Sequence, residues 1–206
     1  MTEHDDYKCE ETKECSNYDK HGISIPKPVV SIPEYAYESR LGRLFGGQTH
    51  SLTFNHNCYA WGGLINPSKS YVNLFIDVFT ISNFTDTPFC GQIWFNTTLP
   101  DCSHLSNKVS PENTALRPLP EPKVKLRYAS CVEEKPRGGV NPFLRIAEPY
   151  STIVAEQGGR QIIPPGGNYV IILKSIESCN RRLTAKIVFS WWEEKTTDVV
   201  PEFGEI

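Results

Sequence analysis

No stretch of this 206-residue chain approaches the run of ~20 apolar residues that a membrane-spanning helix requires. Charge of one sign is also missing. Lys and Arg total 21 against 24 Asp and Glu, a net charge of −3, and no basic stripe breaks the balance. Nucleic acid is therefore not an expected partner. Residues 1–20 lack the basic lead and the 7–15-residue apolar run of a secretory signal. The expectation is a chain that is cytosolic as made, or one released by a route that needs no such signal. The chemistry-bearing motifs are absent too. There is no C-x-x-C, no H-x-x-x-H, no G-x-S-x-G, and no glycine loop followed by Lys-Ser/Thr. Neither a catalytic residue nor a cofactor or metal site is expected.

Cysteine, by contrast, is plentiful. Seven are present: Cys9, Cys15, Cys58, Cys90, Cys102, Cys131 and Cys179. An odd number in an oxidising setting leaves at least one free or bonded to another molecule. In a reducing setting all would be thiols, several of them buried. Cys9 and Cys15 stand apart from the rest. Residues 1–20 hold seven acids against three Lys or Arg and show no apolar periodicity. Such a segment cannot bury enough apolar surface to fold alone. Three prolines in residues 25–33 then favour extended backbone. Residues 1–33 read as an extended, cysteine-bearing arm, 34–194 as the folded domain, and 195–206 as a loose acidic tail.

Beyond the arm, Pro33-Glu34 offers a short helix with Tyr37, Leu41 and Phe45 on one side and Gly42 inside it. From Gly46 the signals are those of strands, read at 51–54, 58–64, 71–84, 90–99, 124–131, 169–176 and 183–192. Residues 150–155 and 160–163 read as a hairpin around Gln157-Gly158-Gly159. The segment 71–84 is apolar on both faces: Val72, Leu74, Ile76 and Val78 on one, Tyr71, Phe75, Phe79 and Ile81 on the other. The segment 183–192 alternates most clearly, with Leu183, Ala185, Ile187, Phe189 and Trp191 on its core face. Residues 100–122 carry five prolines, too many for a central strand, and 133–149 read as a loop. About eight strands with little helix predict an antiparallel β-sandwich, of which a jelly roll is the expected kind.

Few constellations carry chemistry. Cys102 with His104, and His56 with Cys58, pair two zinc-ligand types but fall short of a tetrahedral set. Glu193-Glu194, adjacent on one strand, point to opposite faces and do not converge as an acid–base pair. Asn83 and Asn96 each begin an N-x-[ST] sequon that reads as coincidence. Trp94 and Trp192 fall on polar strand faces by parity. An outward-pointing aromatic there is covered by a loop, contacts another subunit, or stacks on a sugar.

Several stretches match a family pattern. They are the Trp-Gly-Gly-Leu-Ile-Asn-Pro run from Trp61, the Val-Asn-Leu-Phe-Ile-Asp-Val-Phe run from Val72, Asn-Thr-Ala-Leu-Arg-Pro-Leu-Pro from Asn113, Ile-Pro-Pro-Gly-Gly-Asn-Tyr from Ile163, and Phe-Ser-Trp-Trp-Glu-Glu from Phe189. Over roughly residues 46–194 the chain resembles an uncharacterised domain family of spore-forming Bacillus-type bacteria, and this implies no activity. In plan it is similar to the subunits of bacterial endospore appendages, which join a cysteine-bearing N-terminal connector to a jelly-roll body. Its arm is longer and more acidic than such a connector and lacks its compact cysteine pair. The resemblance implies a non-enzymatic structural protein whose partners are copies of itself, with other spore-surface proteins as further candidates, located on a spore surface or outside the cell. Cys9 and Cys15 are then the intersubunit crosslinkers, and Cys58, Cys90, Cys102, Cys131 and Cys179 the available acceptors. The alternative is a non-catalytic glycan-binding sandwich that uses Trp94 or Trp192.

Overall fold

The structure, a computed structural model, describes residues 30–99, 102–135, 137–178 and 181–196. The compact unit starts at Pro33. The arm's Cys9 and Cys15 lie outside the described residues, as do Cys179 and the end of the tail.

The compact unit opens with one helix, α1 (Glu34–Arg40). Gly42 is not inside it but stops it. At φ 72° it takes the left-handed conformation that glycine tolerates best. The Gly42 N–H then donates to the Ser39 carbonyl, and the Arg43 N–H to the Glu38 carbonyl, both at 3.0 Å. These two bonds form the Schellman closure that satisfies the helix's last carbonyls. Phe45 consequently lies in the first strand rather than on the helix.

Twelve strands follow: β1 (Leu44–Gln48), β2 (Leu52–Phe54), β3 (Tyr59–Ile65), β4 (Val72–Asn83), β5 (Phe89–Phe95), β6 (His104–Leu105), β7 (Val109–Pro111), β8 (Lys125–Val132), β9 (Val140–Ala147), β10 (Thr152–Ile163), β11 (Asn168–Ser175) and β12 (Leu183–Lys195). They form two antiparallel sheets. The first runs β10-β4-β12-β1-β7, with β2 also paired to β12, and the second runs β6-β8-β3-β11-β5-β9. The order has a simple origin. One long hairpin, with β1, β3, β4 and β5 on one arm and β12, β11, β10 and β9 on the other, is rolled so that successive pairs fall in alternate sheets. That is the wrap of a jelly roll. The tip of this hairpin, between β5 and β9, carries β6, β7 and β8 across to the far edges of β1 and β3.

The core lies between the sheets. On β12 the expected face is buried throughout, with Leu183, Ala185, Ile187, Phe189 and Trp191 each at most 1% exposed. β4 departs from simple alternation. Ser190 pairs with Val78 but Trp191 pairs with Ile76, so Asp77 is an extra residue in β4. Such a bulge switches the parity of the strand. Leu74 and Ile76 before it, and Phe79 and Ile81 after it, therefore all enter one core. Phe75 is left on the outer surface of the sheet.

Trp192 also points outward by parity, yet it is only 1% exposed. The Phe75 ring stacks on it with centroids 5.3 Å apart and planes 5° from parallel. Leu44 joins this small cluster. The expected hairpin at residues 150–163 is instead the single strand β10, with a register shift between Glu156 and Gln161. In that irregularity Gly159 approaches the Trp192 indole so closely that a Cβ would collide with it. Trp192 is thus an anchor for the edge strand and is not available as a glycan or subunit platform.

Glu193, one residue on, faces inward beside Trp191. Its carboxylate accepts the Lys123 N–H at 2.8 Å, the Val124 N–H at 3.0 Å and the Trp191 Nε1–H at 3.1 Å. The proline-rich excursion is pinned to β12 at this point, just before it enters β8. Burial pushes the Glu193 carboxyl above its ordinary value, although these three donors oppose the shift.

Candidate functional site

The two sides of the sandwich differ. On one side the sheets end in β6, of two residues, and β7, of three residues with Pro111 last. Very short edge strands and edge proline are devices that discourage further pairing. On the other side the sheets end in β9, of eight residues, and β10, of twelve. These two strands are consecutive, so both long edges open on the same side.

This open side is apolar. Leu144 and Ile146 on β9 are 49% and 51% exposed, and Val154 and Ile162 on β10 are 62% and 51% exposed. Val140 and Tyr150 are exposed beside them. Ala147 on β9 and Ala155 and Ile163 on β10 face the shared core, so Leu144 and Ile146 lie on the outer face of the second sheet and Val154 and Ile162 on the outer face of the first. An isolated exposed apolar residue is ordinary, but paired ones on a free strand edge mark a contact surface. The start of β9 is blunted, and β10 is interrupted by its irregularity between Glu156 and Gln161. In β9, Pro142 has no N–H, and the Asn141 side chain covers the irregularity there by donating to the carbonyls of Ile93 at 2.6 Å and Phe143 at 3.0 Å. From Phe143 to Ala147 the outward backbone groups have no strand partner among the described residues. Residues 133–149 read as a loop from sequence because Gly138, Gly139 and Pro142 break any periodicity. The Phe143-Leu-Arg-Ile-Ala run was the usable signal for β9.

A second feature lies near the blunt side, on the outer surface of the second sheet. Trp61, Ala129, Val170 and Ile172 form a buried cluster there, with Trp94, Leu99 and Val132 packed against it. Trp94 is half-buried, and its Nε1–H points to Gln92 Oε1 at 3.3 Å. Next to this cluster is a cleft of about 680 Å³ whose lining includes Leu99, Cys102, His104, Cys131, Val132 and Lys135.

Two cysteines, Cys102 and Cys131, line this cleft. Cys58 and Cys131 are joined by a disulfide, with Cα atoms 4.9 Å apart and a sequence separation of 73. Neither is therefore a free acceptor for a crosslink, which corrects the sequence expectation for both. Cys131 falls where β3 and β8 slip register between Tyr59 and Trp61, and it takes φ 50°. It is exposed, whereas Cys58 is 5% exposed. Asn55 Oδ1 lies 3.5 Å from Cys58 Sγ. Cys102 is an exposed free thiol.

The remaining expected residues are scattered. Cys90 is a buried free thiol whose pKa burial pushes up, so it is a poor nucleophile and a poor acceptor. Asn83 is also buried, and its Nδ2 donates to the carbonyls of Thr87, Ala147 and Glu148, which leaves no room for a glycan. Among the described residues no group of three or more His, Cys, Asp or Glu is arranged to hold a metal ion. The buried carboxylates are structural. Glu38 holds Arg43 in a two-pronged ion pair of 2.6 and 2.8 Å, and burial still raises its pKa. Asp77 at the bulge is raised first by burial, then by the charges of Glu112 and Glu156, against a bond from Ser190.

The model of a protein family described as a family of unknown function (DUF6143) matches residues 17–198. The chain belongs to this family. The DUF6143 match takes in the whole sandwich and begins at Asn17, so it also covers the later part of the expected arm. No curated protein matches the chain, and no solved structure matches it.

Proposed function

We propose that this DUF6143 member is a structural subunit that joins to copies of itself, as part of a fibre or coat outside the cell or on a spore surface. The observation that carries the reading is the open side of the sandwich, where β9 and β10 offer two long strand edges set with Leu144, Ile146, Val154 and Ile162. A second chain that pairs with either edge continues that sheet and extends it beside the apolar pair on its outer face. The contrast with the very short edge strands of the opposite side, one of them ending in Pro111, supports it. In this reading residues 1–33 reach a neighbouring subunit, and Cys9 or Cys15 bonds to it. Of the acceptor cysteines among the described residues, Cys102 suits that role best, as an exposed free thiol.

Electron microscopy of the purified full chain under oxidising conditions, with non-reducing and reducing gels, tests the proposal. Filaments or layers are expected, with covalent oligomers in the non-reducing lane that collapse to monomer on reduction. Removal of residues 1–24 is expected to abolish the covalent oligomers. Monomer in both lanes contradicts the crosslink, and a dispersed monomer in every image contradicts self-assembly.

A further inference from the structure

We propose that the cleft beside β8 is a thiol–disulfide exchange site, in which Cys102 attacks Cys131 and displaces Cys58. Three observations converge on this. First, Cys102 and Cys131 line the same cleft. Secondly, the register of β6 on β8 pairs His104 with Tyr128 and Leu105 with Arg127. Carried back along the chain, it sets Cys102 opposite Ser130, the neighbour of Cys131. Arg127 holds the intervening Ser103 against β8 through bonds of 2.9 Å to its hydroxyl and 3.3 Å to its carbonyl. Residues facing each other across an antiparallel pair have Cα atoms about 4.5–5.5 Å apart, so Cys131 is the residue next along β8 from the one that Cys102 faces at that spacing. Ser130 and Cys131, at the irregularity of β8 on β3, both line the cleft, and the Ser130 hydroxyl accepts the Thr53 N–H at 3.1 Å. Thirdly, the two halves of the existing bond are unequal. Cys131 is exposed to an incoming thiolate, while Cys58 is buried beside Asn55 Oδ1, an acceptor ready for the S–H that Cys58 gains on release.

The step is a simple exchange. The Cys102 thiol gives its proton to water, and its sulfur forms a bond to Cys131 Sγ. The Cys58–Cys131 bond breaks, and its electron pair leaves on Cys58 Sγ, which takes a proton from water. One disulfide and one thiol become one disulfide and one thiol, so no oxidant is consumed. The free thiol moves from the exposed Cys102 to the buried Cys58.

The test is a disulfide map of the full chain. Protein is equilibrated in a glutathione redox buffer, quenched in acid, alkylated, digested without reductant and read by mass spectrometry. Wild type is expected to yield a Cys102–Cys131 peptide together with alkylated Cys58, beside the Cys58–Cys131 peptide. Cys102→Ser should lose the first species and keep the second. Cys58→Ser should give Cys102–Cys131 as its body disulfide. If Cys58→Ser does not fold, wild type against Cys102→Ser decides alone. A wild-type map in which Cys58–Cys131 is the sole body disulfide, with Cys102 fully alkylated at every redox ratio that leaves that bond intact, overturns the proposal.

Discussion

Replacing both cysteines of the bridge, in a Cys58→Ser/Cys131→Ser variant, should remove about 4 kcal/mol of stability. The figure follows from loop closure. The bridge spans 73 residues of sequence. In the chain-entropy treatment a closed loop of that length costs the unfolded ensemble roughly 15 cal/mol/K, or about 4 kcal/mol at 25 °C. A domain of this kind has ~5–15 kcal/mol in total, so the variant should stay folded but with a large share of its margin gone. Equilibrium urea unfolding, followed by tryptophan fluorescence, measures the loss. Its four buried or half-buried indoles, Trp61, Trp94, Trp191 and Trp192, report from both sheets. Reductant should bring wild type to the variant's midpoint and leave the variant unmoved. The slope of the transition should also rise when the bridge is absent, because the unfolded chain is then less compact. Coincident midpoints for oxidised wild type and the double variant would refute the reasoning, and so would a wild-type midpoint indifferent to reductant.

Trp192→Ala should cost ~3–5 kcal/mol, the usual range for emptying a buried aromatic site. Amide exchange in β10 should accelerate along with it, because Gly159 packs on the indole; a surface-like loss below ~0.5 kcal/mol would mean that Trp192 is not an anchor. Glu193 has its folded pKa raised above an unfolded value near 4.5. The stability linked to that proton is full below the unfolded value and lost as pH rises through the folded one. Wild type should therefore lose stability relative to Glu193→Gln as pH climbs from about 4.5 towards neutrality. Urea midpoints of the two proteins across that range check the sign, and a difference that is flat or grows in favour of wild type contradicts it.

The architecture was legible where alternation was clean. β12 reads correctly from Leu183 to Trp191 because nothing interrupts its period, and β3, β8 and β11 fall within a residue or two of their expected ends. β4 shows how a correct strand can yield wrong faces. Its two apolar faces look like a strand covered on both sides, whereas one inserted residue, Asp77, brings Leu74 and Ile76 from one face and Phe79 and Ile81 from the other into a single core. No local propensity announces such a bulge, since it is a property of the pair and not of the strand. Trp192 fails for a related reason. Its parity is outward as expected, but its cover comes from Phe75, on the far side of that bulge, and from a glycine in another strand. The pairing of Cys58 with Cys131 was beyond reach because cysteine spacing does not fix connectivity. The open side was the most consequential omission. Half of it, β9, hides behind turn-forming residues, and edge strands in general lack the two-faced burial that makes a strand visible in sequence.

The central claim is that the β9–β10 side is where copies of this chain meet. Sedimentation velocity over a concentration series, on wild type and on a Leu144→Lys/Ile146→Lys/Val154→Lys variant, tests it most directly. These three side chains are about half exposed or more, at 49%, 51% and 62%, so lysine should be accommodated without loss of fold, which circular dichroism verifies. Run in reductant, the experiment isolates the edge from any covalent link. Wild type is predicted to shift to larger species as concentration rises while the folded triple variant stays monomeric. A wild type that remains monomeric throughout, or a folded variant that associates as wild type does, contradicts the account.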